Sequence, residues 1–191
     1  MTRKFSLPAL ISPAALLLVA QSACFAAPDP AKPNIVLMIA DDLTYLDLGC
    51  WGNKDVKTPN LDKLAAQGMR LTSCYNPAAV CSPTRQSLYT GLYPVRSGAY
   101  PNHAIVKPGV KSLPSYMMPL GYRVGLVGKT HFGPMEQYPF QFPERTDGTP
   151  PADGEDQENT LDYGAAARFI EKDQKQPYCL VVAPHEPHSP W

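Results

Sequence analysis

The chain has 191 residues, 17 basic against 17 acidic side chains, 44% hydrophobic and 18% charged residues. That apolar share suffices for a packed core and excludes a disordered charged tail, and the balance of charge leaves no electrostatic footprint for nucleic acid. No apolar run reaches the roughly 18 residues that span a bilayer, and the 22 prolines point to fixed loops and away from a coiled coil or helix bundle.

Residues 1–27 read as an export signal. Arg3 and Lys4 start it, Ala14 to Ala20 form a short apolar core, and cleavage after Ala26 would follow small side chains at Cys24 and Ala26. Export implies a periplasmic or extracellular protein. A lipoprotein acylated at Cys24 ranks second, because Gln21 stands where an aliphatic residue is usual. Cleavage leaves 15 basic and 17 acidic residues, with Cys50, Cys74, Cys81 and Cys179 in an oxidising compartment. Sequence cannot choose their pairing.

Asn34 to Ala40 is a continuous apolar run suited to a parallel strand covered on both faces, and it ends in Asp41-Asp42. Pro59 to Met69 reads as a helix capped by Thr58 and ended by Gly68. Arg70 to Asn76 reads as a strand and Ser82 to Gly91 as a helix. Tyr122 to Val127 is a strand running into Gly128-Lys129. Pro134 to Glu158, rich in Pro, Gly and acids, reads as an irregular surface loop. Thr160 to Asp173 is a helix, and Tyr178 to Ala183 a strand ending in Pro184-His185. Alternating strands and helices predict an α/β fold with a mainly parallel central sheet flanked by helices.

The polar residues fall at one kind of place. Asp41-Asp42, Lys129/His131 and His185/His188 each follow an apolar strand directly, and ligands of open parallel sheets bind outside the carboxyl ends of strands. Two carboxylates buried together would repel unless a cation sat between them, and a hard divalent ion with oxygen ligands is the natural partner. The plain alternative is a turn built on Asp side chains. Cys81-Ser82-Pro83-Thr84-Arg85 begins a helix, where backbone amides favour anions and Arg85 can add a charged hydrogen bond; otherwise Cys81 is a small buried hydrophobe. Lys129 and His131 can offer a cation and an imidazole to an anion. Pro187 between His185 and His188 forbids a helical zinc pair. His103 and Glu186 carry no signal separable from a loop.

Cys81-x-Pro83-x-Arg85 resembles the sulfatase signature, in which the cysteine is oxidised to formylglycine. The order around it is similar too: Pro33-Asn34-Ile35-Val36 through Asp41-Asp42, Thr58-Pro59-Asn60-Leu61-Asp62, Leu88-Tyr89-Thr90-Gly91, Gly121-Tyr122 through Gly128-Lys129 and His131, and Pro184-His185. The resemblance implies the alkaline-phosphatase-like fold and a calcium ion, with magnesium less favoured. Position by position, Asp41 and Asp42 resemble the metal carboxylates, and Cys81 the formylglycine precursor that also touches the metal. Arg85 resembles the residue holding the formylglycine, and Lys129 and His131 the pair contacting sulfate and the modified residue. His185 resembles the histidine that assists the leaving group. The implied reaction is hydrolysis of a sulfate ester or sulfamate on a glycan or aryl compound. One hydroxyl of the hydrated aldehyde attacks sulfur, and the other then expels sulfate. A formylglycine-generating maturation enzyme is the implied partner. Gly128 to Pro134, Tyr138-Pro139-Phe140-x-Phe142 and His185-x-Pro187-His188 resemble the heparan N-sulfatase branch, where His188 could reach the substrate.

Two positions depart from the pattern: Leu92 stands where an Arg often follows Thr-Gly, and Pro119 interrupts a helix before Gly121. Sulfatase chains are usually well over twice this long, so residues 28–191 are expected to be an incomplete, N-terminal catalytic domain whose calcium is held loosely and whose activity alone is doubtful. The competing readings are a phosphoester or phosphonate hydrolase of the same superfamily and an inactive fragment that binds a sulfated glycan or nothing.

Overall fold

The computed structural model describes residues 32–145, 150 and 161–189. Residues 1–27, read as a signal, lie outside them, as does most of 146–160. The fold below is that of the compact unit that begins at Pro33.

Three parallel strands form the sheet: β1 (Ile35–Met38), β2 (Arg123–Gly128) and β3 (Tyr178–Ala183), in the order β1-β3-β2. Ile35 and Val124 flank Cys179 in register. Central β3 is apolar throughout because both its faces are covered. Side chains alternate between the faces. Val124, Leu126, Cys179, Val181 and Ala183 pack with Tyr89, Phe132, Tyr138 and Phe140 in one core cluster, while Val127, Leu180 and Val182 pack with Leu161, Ala165 and Phe169 in the other. β1 departs from the expectation of cover on both faces. Among the described residues its hydrogen-bonded neighbour is β3 alone, and Val36 and Met38 are 50% and 61% exposed.

The helices are α1 (Pro59–Gln67), α2 (Cys81–Thr90), α3 (Pro94–Ser97), α4 (Leu113–Met117) and α5 (Tyr163–Glu171). α1 lies within its expected span, with Gly68 next after it. Thr58 does not cap α1 with its side chain; its hydroxyl accepts from Gly49 N at 2.9 Å and donates to Asp62 at 2.9 Å. Gly91, at φ 70°, closes α2 in the left-handed conformation. Pro119 does not kink a helix: α4 stops at Met117 and Pro119 sits in the first turn of a separate 3-10 segment, Met118–Leu120. α5 seats its Phe169 ring where a β-carbon on Gly125 would lie 2.7 Å away, so only glycine fits the strand there. Buried Arg123 donates to Phe169 O at 2.7 Å and Asp173 O at 3.1 Å, satisfying carbonyls at the end of α5.

Two further expectations need correction. Residues 70–76 form no strand: Leu71 and Tyr75 are exposed, and Arg70 stacks on Trp51 and donates to the Cys50 carbonyl. Their alternation meets no neighbouring strand, and a lone extended segment leaves its amides unpaired. The described part of 134–158 is not a plain surface loop either. Tyr138 and Phe140 are buried in the core, and Gln141 adds a one-residue parallel bridge to β2, with Gln141 N donating to Val124 O and Leu126 N to Gln141 O, both at 2.9 Å. Proline spacing looked like loop, but the aromatics between the prolines supply hydrophobic burial that fixes the segment.

Candidate active site

The carboxyl ends of the three strands and the start of α2 meet around Asp41, which is 5% exposed. Its carboxylate is shared by two cations. Arg85 Nη2 lies 3.1 Å from Oδ1 and Lys129 Nζ 2.6 Å from Oδ2, while Arg85 Nη1 donates to Lys129 O at 3.3 Å. Burial raises the Asp41 pKa, yet the hydrogen bond from Lys129 and the charge of Arg85 outweigh it and hold the carboxyl below its usual 3.8. Gly128 makes this geometry possible. At φ 94° it turns the chain out of β2, and a β-carbon there would meet Ala183 O at 2.3 Å. Lys129, only 1% exposed, then points to Asp41.

Cys81 is the first residue of α2, with Arg85 one turn behind it on the same side. Gln86, fully buried, donates to Ser82 Oγ at 2.9 Å and Ala104 O at 2.7 Å, which anchors this helix to the loop after α3. Tyr89, one turn beyond Arg85, is pushed up to about 12 by burial despite the adjacent guanidinium, so it stays neutral. The Cys81 thiol is also raised, first by burial and then by the Asp41 charge. At neutral pH it is a thiol, and a thiolate nucleophile is disfavoured. All four cysteines from Cys50 onward are free thiols, Cys179 being part of the core.

Asp42 behaves differently from its neighbour. It sits at φ 56° with its side chain 59% exposed, its Oδ2 3.6 Å from His188 Nε2. The argument from two carboxylates buried together therefore does not apply, because one is buried and neutralised by side chains and the other faces the cleft. The donor set nonetheless suits part of a divalent-cation site: Asp41, Cys81 and His188 each bring a ligand atom within 4.8 Å of the others, and Asp42 opens into the same cleft of about 860 Å³, which Asp41, Cys81, Thr84, Arg85 and Tyr93 also line. The two carboxylates give the oxygen donors that calcium prefers.

His131, 2% exposed, lies two residues beyond Lys129 at φ 50°. Its Nε2 is 2.9 Å from His103 Nδ1. The His185 and His188 rings lie against each other, tilted by 60° with centroids 4.6 Å apart, and Glu186 O accepts from Asp41 N at 3.2 Å, which ties the loop after β3 to the strand-end carboxylate. The structure thus gathers Asp41, Asp42, Cys81 and Arg85 at one cleft, with Lys129 buried against Asp41. It brings His188 to the carboxylates, with His185 against it, and links His131 to His103. Sequence reading passed over His103, and no spacing rule would have found it, since the contact spans 28 residues between two loops.

A parallel sheet flanked by helices, with a buried carboxylate clamped by Arg and Lys at the strand ends beside a cysteine that starts a helix, is an α/β fold of the alkaline-phosphatase-like kind with a cleft at the carboxyl ends of its strands. The sulfatase family profile matches residues 33–191, and the chain belongs to that family. It is 34% identical over 161 residues to the ulvan-active sulfatase of Formosa agariphila, covering 83% of this chain and 31% of that protein. It is 45% identical over 124 residues to human arylsulfatase A, covering 61% and 24%. The crystal structure of Ps i-CgsB superposes with a TM-score of 0.67 at 28% identity, covering 83% of this chain and 46% of that one, and that protein was also solved with k-i-k-neocarrahexaose. The chain thus spans less than a third of the length of these two sequence relatives. Among the described residues no helix is long and apolar enough to cross a membrane.

Proposed function

We propose that this chain carries the nucleophile of an exported, calcium-dependent sulfuric ester hydrolase that acts on a sulfated glycan or small molecule after Cys81 is converted to formylglycine. The observation that carries the reading is the Asp41–Arg85–Lys129 cluster beside Cys81 in one cleft. The ulvan-active relative and the oligosaccharide bound to Ps i-CgsB favour a glycan, and the basic-then-apolar N-terminus favours export.

Asp41, Asp42 and the converted residue 81 would hold the cation, which supplies Lewis-acid stabilisation of charge on the sulfuryl oxygens. The hydrated aldehyde supplies a hydroxyl where the raised thiol is a poor nucleophile. Arg85, on the same side of α2, orients residue 81 and is itself held by Asp41. Lys129 keeps a buried positive charge at the strand end, where it stabilises anionic oxygens. His131 adds an imidazole on the same loop. His185, with His188 packed on its ring, protonates the departing oxygen.

The test is mass spectrometry of the Cys81 peptide from protein produced with the maturation enzyme, joined to turnover on aryl sulfate, glycan sulfate, sulfamate and phosphonate esters. Aldehyde or its hydrate at residue 81, with sulfate or sulfamate cleaved fastest and Cys81→Ala inactive, is the expected result. Active protein that retains the thiol, or that prefers phosphonate, overturns the reading.

A further inference from the structure

We propose that His103 is a positioning residue that fixes the ring and tautomer of His131 through a donor chain beginning at Asn102. The inference rests on the reading of His131 as a site residue given above. Asn102 Nδ2 lies 3.1 Å from His103 Nε2, and His103 Nδ1 lies 2.9 Å from His131 Nε2. An amide nitrogen only donates. His103 Nε2 is therefore the acceptor, the proton of the neutral His103 ring sits on Nδ1, and that N–H donates to His131 Nε2. The proton of neutral His131 is thereby assigned to Nδ1, which makes Nδ1 a donor. A histidine's chemistry depends on which nitrogen carries the proton, and that is set by the bond the other nitrogen makes.

Two further observations support a built arrangement over a chance contact. Among the described residues, those other than glycine with positive φ are Asp42 at 56°, His103 at 65° and His131 at 50°. Two of these belong to the candidate site on other grounds, and His103 is the third. Such backbone is unfavourable for a side chain with a β-carbon and persists where surrounding contacts hold it. Those contacts are present. Gln86 of α2 donates to Ala104 O at 2.7 Å, and Val106 N donates to Gly133 O at 2.9 Å. The loop carrying His103 is thus fastened both to the helix that starts with Cys81 and to the loop that carries His131.

The test compares His103→Asn with His103→Asp in the full, matured chain. Asn and Asp share a shape and both tolerate positive φ, but only Asn keeps a donor near the place of His103 Nδ1. Loss of the partner that orients a metal-bound histidine costs about 10- to 100-fold, and the same order is expected for another working imidazole. The expected result is a kcat in His103→Asp reduced by about that factor with KM nearly unchanged, and His103→Asn at least about tenfold more active than Asp. Nitrogen-15 NMR of the wild-type imidazoles is expected to give a pyrrole-type Nδ1 and a pyridine-type Nε2 at His131. Equal activity of the two variants, or a proton on His131 Nε2, overturns the inference. A wild-type protein that cleaves no sulfate or sulfamate defeats the reading of function instead, and the NMR assignment still decides the role of His103.

Discussion

The isosteric change Asp41→Asn removes one charge and almost no volume, so it isolates what that carboxylate does for the fold. It removes the one charge that Arg85 and Lys129, 3% and 1% exposed, share. Stripping one partner from a buried ion pair costs about 3–5 kcal/mol, and here two pairs converge on the group removed. Lys129→Met is the milder change, because Asp41 keeps Arg85 at 3.1 Å; it should cost about 1.5–3 kcal/mol, the range for a charged hydrogen bond. Urea denaturation followed by circular dichroism in chelator reads only the chain's own charges. With a slope of about 2 kcal/mol per molar urea, Asp41→Asn should lower the midpoint by about 1.5–2.5 M. The double variant should cost less than the two singles together, by about 0.5–3 kcal/mol. A midpoint shift under about 0.5 M for Asp41→Asn, or a larger shift for Lys129→Met, would refute the claim that one carboxylate neutralises both cations.

The same carboxylate sets an acid limit. Its folded pKa lies below the ordinary 3.8, so its contribution is complete above that value and is lost as pH falls through the folded one; the stability gap between wild type and Asp41→Asn should be constant from about pH 7 to 5 and narrow below about pH 4. Gly128→Ala places a β-carbon 2.3 Å from Ala183 O at φ 94°. It should cost at least about 1–3 kcal/mol in the same denaturation assay, and turnover should fall because Lys129 is the next residue along.

The sheet strands were legible because β1 and β3 are continuous apolar runs and β2 carries no polar side chain after Arg123, and the polar residues were legible because they follow those runs: Asp41 after β1, Lys129 after β2 and His185 after β3. The start of α2 was legible to within a residue. Long-range support was not. The hydrogen bond from Gln86 to Ala104 and the contact of His103 with His131 join segments whose sequence spacing has no period. The stretch Tyr138 to Phe142 was hidden by the prolines around it, which read as loop although Tyr138 and Phe140 are in the core and Phe142 packs against it. Asp41 and Asp42 also looked equivalent in sequence. One peptide unit at φ 56° separates a buried, doubly paired carboxylate from an exposed one, and no pattern of residue types encodes that turn.

That asymmetry has a consequence for substrate binding on the proposed reading. The cluster sets two basic side chains, Arg85 and Lys129, against two carboxylates, Asp41 and Asp42. Its formal charge is zero, so the side chains alone exert little net attraction on an anionic sulfate. Asp41 is already neutralised, and the exposed Asp42 repels an anion entering the cleft. A divalent cation seated on these carboxylates turns the same rim to a net charge of two positive units, in a pocket where part of the charge is buried and weakly screened. Inorganic sulfate should therefore bind measurably by calorimetry with calcium present and weaken by about tenfold or more in chelator, the tenfold corresponding to about 1.4 kcal/mol. Asp42→Asn should weaken calcium binding while raising residual sulfate affinity in chelator, since it removes the repelling charge. Equal sulfate affinity with and without calcium would mean that Arg85 and Lys129 suffice on their own, and the charge argument would fail.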